Sequence, residues 1–246
     1  NVSFQVHAGE ILGIAGVAGN GQSELMEALA GILPKKSGRI LIKGEEIIGG
    51  TARGARNVRA AGVGHVPEDR QHMGLITSFE ASESGILGYQ RGEKYNRAIL
   101  MNHAGIVADV GRQMAEYDVR PPLPRLRTGA FSGGNQQKIV LGREMDKDPD
   151  VLLVGQPTRG VDIGAIEFIH RRLVAMRDSG KAVLLVSVEL DEILSLSDRI
   201  LVMFNGEIVG EVSQNEATEQ ALGLMMAGER QTAQSTQSPA TQETTP

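Results

Sequence analysis

Two glycine-rich stretches of this sequence are candidates for binding phosphate. Residues 16–23 read GVAGNGQS, and residues 131–138 read FSGGNQQK. Each loop runs into a segment with the apolar spacing of a helix. Such a loop exposes backbone N–H groups, and the positive end of the helix dipole favours the same anion. The simpler interpretation of the second stretch is an ordinary helix start, since Ser132 is a good N-cap and Gly-Gly is common in turns.

The first stretch, here called the phosphate loop (residues 16–23), has the spacing of a nucleotide-binding loop. Its two outer glycines keep the interval GxxxxG, and Ser23 has the hydroxyl that binds Mg²⁺ in such loops. The lysine of that pattern is replaced by Gln22, whose amide can donate hydrogen bonds to phosphate but carries no charge. The alternative is a tight turn between a strand and a helix. The predicted binding residues here, with Ser23 as the metal ligand, are Gly16, Gly19, Asn20, Gly21, Gln22, Ser23 and Glu24.

The elements that must position these loops can be predicted from periodicity. Continuous apolar runs at 151–154 and 182–186 are typical of parallel strands buried on both faces, and residues 62–66 are predicted to form another buried strand. Further strands are predicted at 2–6, 10–15, 39–43, 199–204 and 207–212, the last two forming a hairpin across Asn205-Gly206. Helices are predicted at 24–33, 139–145, 163–179, 190–196 and 216–226. The strands at 2–6, 10–15 and 39–43 are expected to form an antiparallel flap.

Composition restricts the class of protein. The chain has 246 residues, 41% of them apolar but only 3% aromatic, which predicts an aliphatic core. The net charge of −5 gives no support to non-specific binding of nucleic acid. Cysteine is absent, which excludes disulfides and cysteine metal sites, and the five histidines have no paired spacing for zinc. The longest apolar runs are too short to cross a bilayer.

Two regions are expected to differ from the α/β pattern. Residues 76–128 are mostly helical in period, and the prolines at 121, 122 and 124 predict an extended connector after them. Residues 229–246 contain Gln, Thr, Ser, Pro and Ala without apolar periodicity, which predicts a disordered polar tail. The first residues read as a strand already under way, so we expect a longer polypeptide before residue 1.

Residues 131–138 closely resemble the signature of ABC ATPases, in the SGGNQQK form typical of sugar and nucleoside importers. The resemblance covers roughly residues 1–228, in the order phosphate loop, PEDR at 67–70, signature, GQPTRGVD at 155–162 and switch region at 187–189. It is strongest for the second, C-terminal nucleotide-binding domain of nucleoside importers. It implies an α/β fold: a P-loop NTPase (RecA-like) core, an antiparallel β subdomain and an inserted α-helical subdomain at about 76–145.

The resemblance also shows which family residues this chain lacks. Glu68 stands where the family commonly has glutamine, and its charge is expected to oppose nearby phosphate. Gly155 and Gln156 replace the aspartate and glutamate that hold magnesium and polarise the attacking water. Val188 replaces a histidine that contacts the γ-phosphate. Asp162, in the D-loop (residues 158–162), is retained, so the resemblance implies a domain that has lost its catalytic groups.

The implied function is that of a degenerate half. In this family, two such domains face each other head to tail, and each ATP lies between one phosphate loop and the other domain's signature. Residues Ser132, Gly133, Gly134 and Gln136 would complete the partner's ATP site, while this half's own site would hold ATP and Mg²⁺ weakly or not at all. The implied partners are a second nucleotide-binding domain, fused N-terminally, membrane permease subunits and, indirectly, an extracytoplasmic solute-binding protein. The expected location is the cytoplasmic face of the membrane, without nucleic acid.

Two alternatives remain open at the level of sequence. One is a soluble ABC-type ATPase of DNA repair or translation, which the acidic charge balance disfavours. The other is a structural pseudo-ATPase that never binds nucleotide, which direct measurement of ATP binding would distinguish.

Overall fold

The computed structural model describes residues 2–47, 54–97 and 100–229. Its strands are β1 (Glu10–Ala15), β2 (Leu41–Ile42), β3 (Glu45–Glu46), β4 (Val63–Val66), β5 (Asn96–Arg97), β6 (Leu100–Met101), β7 (Val151–Gly155), β8 (Ala182–Ser187), β9 (Arg199–Phe204) and β10 (Glu207–Ser213). Its α-helices are α1 (Gln22–Leu29), α2 (Gly54–Ala60), α3 (Ala81–Ser84), α4 (His103–Glu116), α5 (Gly133–Met145), α6 (Ile163–Asp178), α7 (Leu190–Leu196) and α8 (Glu219–Met226). A π-helical turn, Arg70–Gly74, follows β4.

Six strands form the central sheet, in the order β10-β9-β1-β8-β7-β4. All neighbours pair in parallel except β9 and β10, which form an antiparallel hairpin. Ala15 at the end of β1 pairs with Ser187 at the end of β8, and Gly155 at the end of β7 pairs with Val186. The loops that follow these strands therefore leave the sheet at one carboxyl edge, where α/β proteins bind ligands.

The sheet is buried on both faces, as the continuous apolar runs predicted. Successive residues of β8 alternate between two apolar clusters, Val183 and Leu185 in one and Leu184 and Val186 in the other. Helices α4 to α8 contribute to the first cluster, and α1 and α2 to the second. This two-sided core fixes the strand ends, and with them the loops at the carboxyl edge.

Most of the predicted sheet is confirmed, but its amino-terminal flap differs. Residues 2–7 form no strand, although Val2, Phe4 and Val6 pack against the second cluster, as their alternation suggested. In place of the predicted flap, β2 and β3 form a two-stranded antiparallel sheet, and β1 lies inside the parallel sheet. Apolar alternation reports which side chains are buried, and it does not show whether a neighbouring strand supplies hydrogen bonds.

The segment between the sheet and the second glycine-rich stretch is less helical than predicted. Within 76–128, only α3 and α4 are α-helical in the described residues; a 3₁₀ turn and the β5–β6 pair lie between them. Two other helix bounds differ from the prediction: α1 ends at Leu29 rather than residue 33, and α8 begins at Glu219 rather than residue 216. Helix α2 was not predicted. The predicted tail at 229–246 lies outside the described residues, apart from Glu229.

A buried ion pair anchors helix α5. The Nε atom of Arg143 lies 2.8 Å from Oε1 of Glu144, and both side chains are almost fully buried. The Nη1 atom of Arg143 donates to the carbonyl oxygens of Gly74 at 2.6 Å and Ser84 at 3.1 Å. Burial alone raises the pKa of Glu144, but Arg143, Arg59 and a hydrogen bond from Tyr89 outweigh burial and hold that pKa below its ordinary value. The pair fixes α5 against the π-helical turn and α3.

Candidate functional site

The phosphate loop connects β1 to α1 with the backbone that its glycines allow. Gly19 and Gly21 have φ values of 88° and 101°, which lie in the left-handed region. Gly21 is the N-cap of α1, and no side chain caps the helix. Around Gly19, a Cβ atom would meet nothing within 4 Å, so the loop is open on this side. The N-terminus of α1 therefore has the arrangement that binds phosphate through backbone N–H groups.

Asn20 connects the phosphate loop to the β9–β10 hairpin. Its Nδ2 donates to the carbonyl of Val17 at 3.0 Å, within the loop. Its Oδ1 accepts from the backbone N–H of Asn205 at 2.8 Å, and its carbonyl accepts from that of Gly206 at 2.9 Å. The predicted hairpin turn at Asn205-Gly206 thus holds the loop in place.

Gln22, at the lysine position, faces into its own loop. The side chain is only 5% exposed, and its Nε2 donates to the Val17 carbonyl at 3.2 Å. A Cβ atom at Gly16 would lie 2.2 Å from this Nε2, so the amide fits only because residue 16 is glycine. Glu24 is exposed in the first turn of α1. The amide therefore supports the loop and adds no positive charge toward a phosphate.

Ser23 and Glu68 are joined across the carboxyl edge. The Ser23 hydroxyl donates to Oε2 of Glu68 at 2.6 Å. The other carboxylate oxygen of Glu68 lies 3.3 Å from Nη1 of Arg159 in the D-loop. The charge of Glu68, which was expected to oppose nearby phosphate, is thus paired with the guanidinium of Arg159.

Two side chains at this position, those of Ser23 and Glu68, fit magnesium. Ser23 and Glu68 provide a hydroxyl and a carboxylate within contact of each other, which fits a small cation that takes its other ligands from phosphate and water. Residue 155 contributes no carboxylate. A Cβ atom there would lie 3.1 Å from the backbone nitrogen of Glu68, so the Glu68 loop occupies the adjoining space. In the described residues, no group of three or more His, Asp or Glu side chains could hold a metal.

The two positions that would act on the γ-phosphate contact each other. Gln156 is buried and has a φ of 46°, and its Oε1 accepts from the backbone N–H of Val188 at 3.3 Å. The Gln156 backbone N–H donates to the Val186 carbonyl at 2.8 Å. An amide oxygen is too weakly basic to take a proton from water, and the valine side chain cannot donate a hydrogen bond. These two side chains therefore provide no general base.

Ser132 begins helix α5 as an N-cap. Its Oγ accepts from the backbone N–H and the Nδ2 of Asn135, at 3.4 and 2.9 Å. Since both contacts use the oxygen as acceptor, the hydroxyl proton remains for an external acceptor. The ordinary helix start and the phosphate-binding interpretation are therefore compatible.

The two signature glycines are also required within this chain. A Cβ atom at Gly133 would lie 2.6 Å from Nη2 of Arg70 and 2.7 Å from the Gly160 carbonyl. At Gly134, it would lie 2.9 Å from Oδ2 of Asp162, which caps α6 through the Ala165 N–H at 2.9 Å. Substitution of either glycine would therefore also disturb the D-loop.

Gln136 has an internal role instead of the predicted ligand contact. It is 3% exposed, and its Nε2 donates to the carbonyls of Thr128 and Phe131 at 3.2 and 3.1 Å. Its Oε1 accepts from Gln71 at 3.0 Å. The residue holds the chain that enters the signature, and its side chain has no free donor facing outward.

The predicted residues form two groups. Residues 16–23, Glu68, Gln156 and Val188 meet at the carboxyl edge, and residues 132–134 meet Asp162 at the start of α5 and α6. Two arginines that were not singled out, Arg70 and Arg159, connect the groups. Both arginines are visible in the sequence, in PEDR and PTRG. The hydrogen bond from Arg70 to Gly160, however, joins loops that are 90 residues apart.

Comparison with known proteins identifies the family of this chain. Residues 1–159 match the family model described as ABC transporter. This chain belongs to the ABC transporter family. The P-loop α/β fold with its parallel sheet agrees with a dimeric bacterial ABC transporter cassette, at a TM-score of 0.72 and 20% identity, covering 87% of this chain and 89% of that one.

Two curated relatives are similar over almost the whole ABC domain. A guanosine import ATP-binding protein of Bacillus subtilis is 48% identical over 94% of this chain and 45% of its own length. A nucleoside import ATP-binding protein of Lactococcus lactis is 44% identical over 92% of this chain and 44% of its own. The chain thus spans about half the length of these relatives. Within the described ranges, no helix has both the length and the apolar character needed to span a membrane.

Proposed function

We propose that this ABC domain is one half of an importer ATPase that energises ATP-dependent uptake of nucleosides or simple sugars. It is the catalytically degenerate, C-terminal half, and it completes the ATP site of a second nucleotide-binding domain fused N-terminally. The observation that carries the proposal is the contrast between two sites in one chain. Ser132 retains a free hydroxyl proton at a helix N-terminus, whereas the Gln156 amide oxygen accepts a hydrogen bond from the Val188 backbone.

The names of the relatives support the substrate class. Both import proteins named above act on nucleosides, and a ribose import ATP-binding protein of Rubrobacter xylanophilus is 38% identical over 93% of this chain and 45% of its own length. Identity is higher to the nucleoside importers, which favours nucleosides over sugars. About half of each relative lies outside the match, which leaves room for the partner domain.

Exposed apolar side chains support contact with that partner domain. Val17 is 53% exposed and Val188 is 37% exposed, and they follow the paired strand ends Ala15 and Ser187. Ile163, directly after the D-loop, is 85% exposed. In the proposed arrangement, the partner domain covers these apolar side chains. This half's own site would then be closed mainly by apolar contact, with nucleotide and Mg²⁺ held weakly or not at all.

A groove beside α3 and α4 is the proposed docking site for a permease helix. It has a volume of about 450 Å³, and its lining combines apolar side chains with the charged residues Glu80, Glu83 and Arg125. Such a groove fits the apolar face of an amphipathic helix. The domain would then lie at the cytoplasmic face of the membrane, and the solute-binding protein would act through the permease. The apolar lining includes Phe79, Ile86, Leu87, Met101, Ile106 and Val107.

The proposal is tested by exchanging one hydroxyl at a time in the complete, reconstituted transporter. Ser132→Ala is expected to lower ATP turnover about 100-fold, because it removes a donor to the partner's phosphate. Ser23→Ala is expected to leave turnover within about twofold, since this site performs no chemistry. The readouts are phosphate release and uptake of labelled guanosine, with labelled ribose as a second probe.

Thr218→Ala is the matched control. Thr218 caps α8 through the N–H of Ala221 at 3.2 Å, so its loss removes an N-cap as Ser132→Ala does, at a cost of about 1 kcal/mol. If Thr218→Ala lowers turnover as much as Ser132→Ala, the effect is on stability. If Ser23→Ala is the inactive variant and Ser132→Ala keeps turning over, the two halves are assigned the wrong way round.

A further inference from the structure

Arg70 lies between the two loops that would face the partner domain. It begins the π-helical turn, whose first N–H groups are capped by the Asp69 carboxylate: those of Gln71 and His72 both donate to Oδ1 at 3.0 Å. The Arg70 Nη1 donates to the carbonyl of Arg159 at 2.6 Å, and Nη2 donates to that of Gly160 at 3.2 Å. One guanidinium therefore binds two successive D-loop carbonyls.

The same guanidinium lies against the start of helix α5. The space that a Cβ atom of Gly133 would fill is 2.6 Å from Nη2 of Arg70 and 2.7 Å from the Gly160 carbonyl. The next residue, Gln71, donates to Oε1 of Gln136 on α5 at 3.0 Å. The D-loop, the signature and the π-helical turn are thus in contact at one arginine.

The chemistry of the side chain suits this position. A planar guanidinium can direct parallel N–H groups at two neighbouring acceptors, whereas a lysine ammonium is a point donor on a flexible stem. The Nε of Arg70 is buried without a hydrogen-bond partner among the described residues, so the contacts to the carbonyls are what orient the group. Burial also lowers the pKa of Arg70 from its ordinary value.

We propose that Arg70 is a positioning residue for the ATP site of the partner domain. It fixes the D-loop carbonyls against Gly133, so that the Ser132 hydroxyl and the free N–H groups of α5 keep one geometry toward the partner's phosphate. Arg70 acts through these loops and does not itself touch the nucleotide. The inference rests on the proposed function, because it assigns Arg70 to the site that the signature completes.

The test is carried out in the complete transporter with Arg70→Ala, Arg70→Lys and Arg171→Ala. Arg171 is the matched control. It is an exposed arginine on α6 that forms an ion pair with Glu167, one turn earlier on the same helix. For Arg70→Ala, kcat per folded molecule should fall about 10- to 100-fold, as expected for a displaced catalytic group, with KM for ATP unchanged within about twofold. Arg70→Lys should recover part of the loss, and Arg171→Ala should match the parent.

Hydrogen exchange provides a readout that a general loss of stability would not produce. In Arg70→Ala, amide exchange should accelerate at residues 133–136 and 158–162 and remain at the parent rate in β1 and β8. Faster exchange over the whole sheet, or an unchanged kcat, would overturn the proposal. The Ser132→Ala variant distinguishes an error in the role of Arg70 from an error in the proposed function. If Ser132→Ala stops turnover and Arg70→Ala does not, only the role of Arg70 is wrong; if neither changes turnover, the proposed function fails with it.

Discussion

The Ser23 hydroxyl donates a 2.6 Å hydrogen bond to the Glu68 carboxylate. The hydroxyl that would bind magnesium is therefore already hydrogen-bonded to Glu68, in the loop after strand β4. Glu68 also forms an ion pair with Arg159 at 3.3 Å. A nucleotide entering this site must compete with an internal, charge-assisted contact. This contact and the internally directed Gln22 amide are the physical reason to expect weak nucleotide binding at the phosphate loop.

We expect no measurable ATP hydrolysis by the isolated domain. Position 155 has no carboxylate, and Gln156 is bonded to Val188. Losing a general base typically costs ~10²–10⁴ in rate, and groups that act together do not add simply. Gln156→Glu alone should therefore restore nothing. The measurement is phosphate release by highly purified protein. Steady turnover that disappears in Ser23→Ala would contradict this prediction.

Gln22→Lys should tighten ATP binding by the domain about tenfold, because a lysine adds a charge-assisted phosphate contact. The parent should bind ATP weakly, with little change when Mg²⁺ is removed. Calorimetry with and without Mg²⁺ measures both effects. Gln214→Lys, which adds the same charge at an exposed side chain in a distant 3₁₀ turn, is the control. Tight, magnesium-dependent binding by the parent would show that Ser23 and Glu68 suffice as ligands.

Gly155→Asp should destabilise the domain instead of repairing its site. The new Cβ atom would lie 3.1 Å from the Glu68 nitrogen and 3.3 Å from its Cα, and the carboxylate would lie beside another carboxylate. Overpacking of this kind costs about 2 kcal/mol, which lowers the midpoint of thermal unfolding by about 4–8 °C.

Gly223→Asp is the control for that substitution, since a Cβ atom at Gly223 in α8 meets nothing within 4 Å. Its midpoint should remain close to that of the parent. If Gly155→Asp unfolds at the parent's temperature, the Glu68 loop moves aside without cost.

Stability should fall between pH 7 and pH 5 because of His65. Burial in strand β4 lowers its pKa from 6.5 to about 4; Glu144 opposes this shift, while Arg59 and Arg143 add to it. The unfolded chain therefore binds a proton in this range that the folded chain does not. About 2 kcal/mol of the free energy of unfolding should be lost.

Denaturant titrations at pH 7, 6 and 5 measure this loss. In His65→Gln, the fall should be smaller than in the parent, whereas His72→Gln, at an exposed position, should keep the parent's slope. Carboxyl groups with lowered pKa values, such as those of Asp109 and Glu10, lose their contribution at lower pH, so this window is specific to the histidine. An equal slope in His65→Gln would show that the fall in stability does not come from His65.

The sequence by itself determined the α/β class, the central strands and the two glycine-rich loops. Apolar runs such as 151–154 and 182–186 have no other place than a sheet covered on both faces, and Gly21 and Ser132 mark helix starts through local backbone chemistry. These signals depend on neighbours within a few positions. For that reason they were readable without a fold.

Only the tertiary structure decided how the loops use their side chains. Glu68 lies 45 positions from Ser23 and 91 from Arg159, and the direction of its carboxylate depends on which strand ends lie side by side. The same holds for Gln136, whose amide faces inward, and for Arg70, whose two acceptors come from the D-loop. Hydrogen bonds between distant loops have no period in the sequence, because the sheet order β1-β8-β7-β4 brings them together.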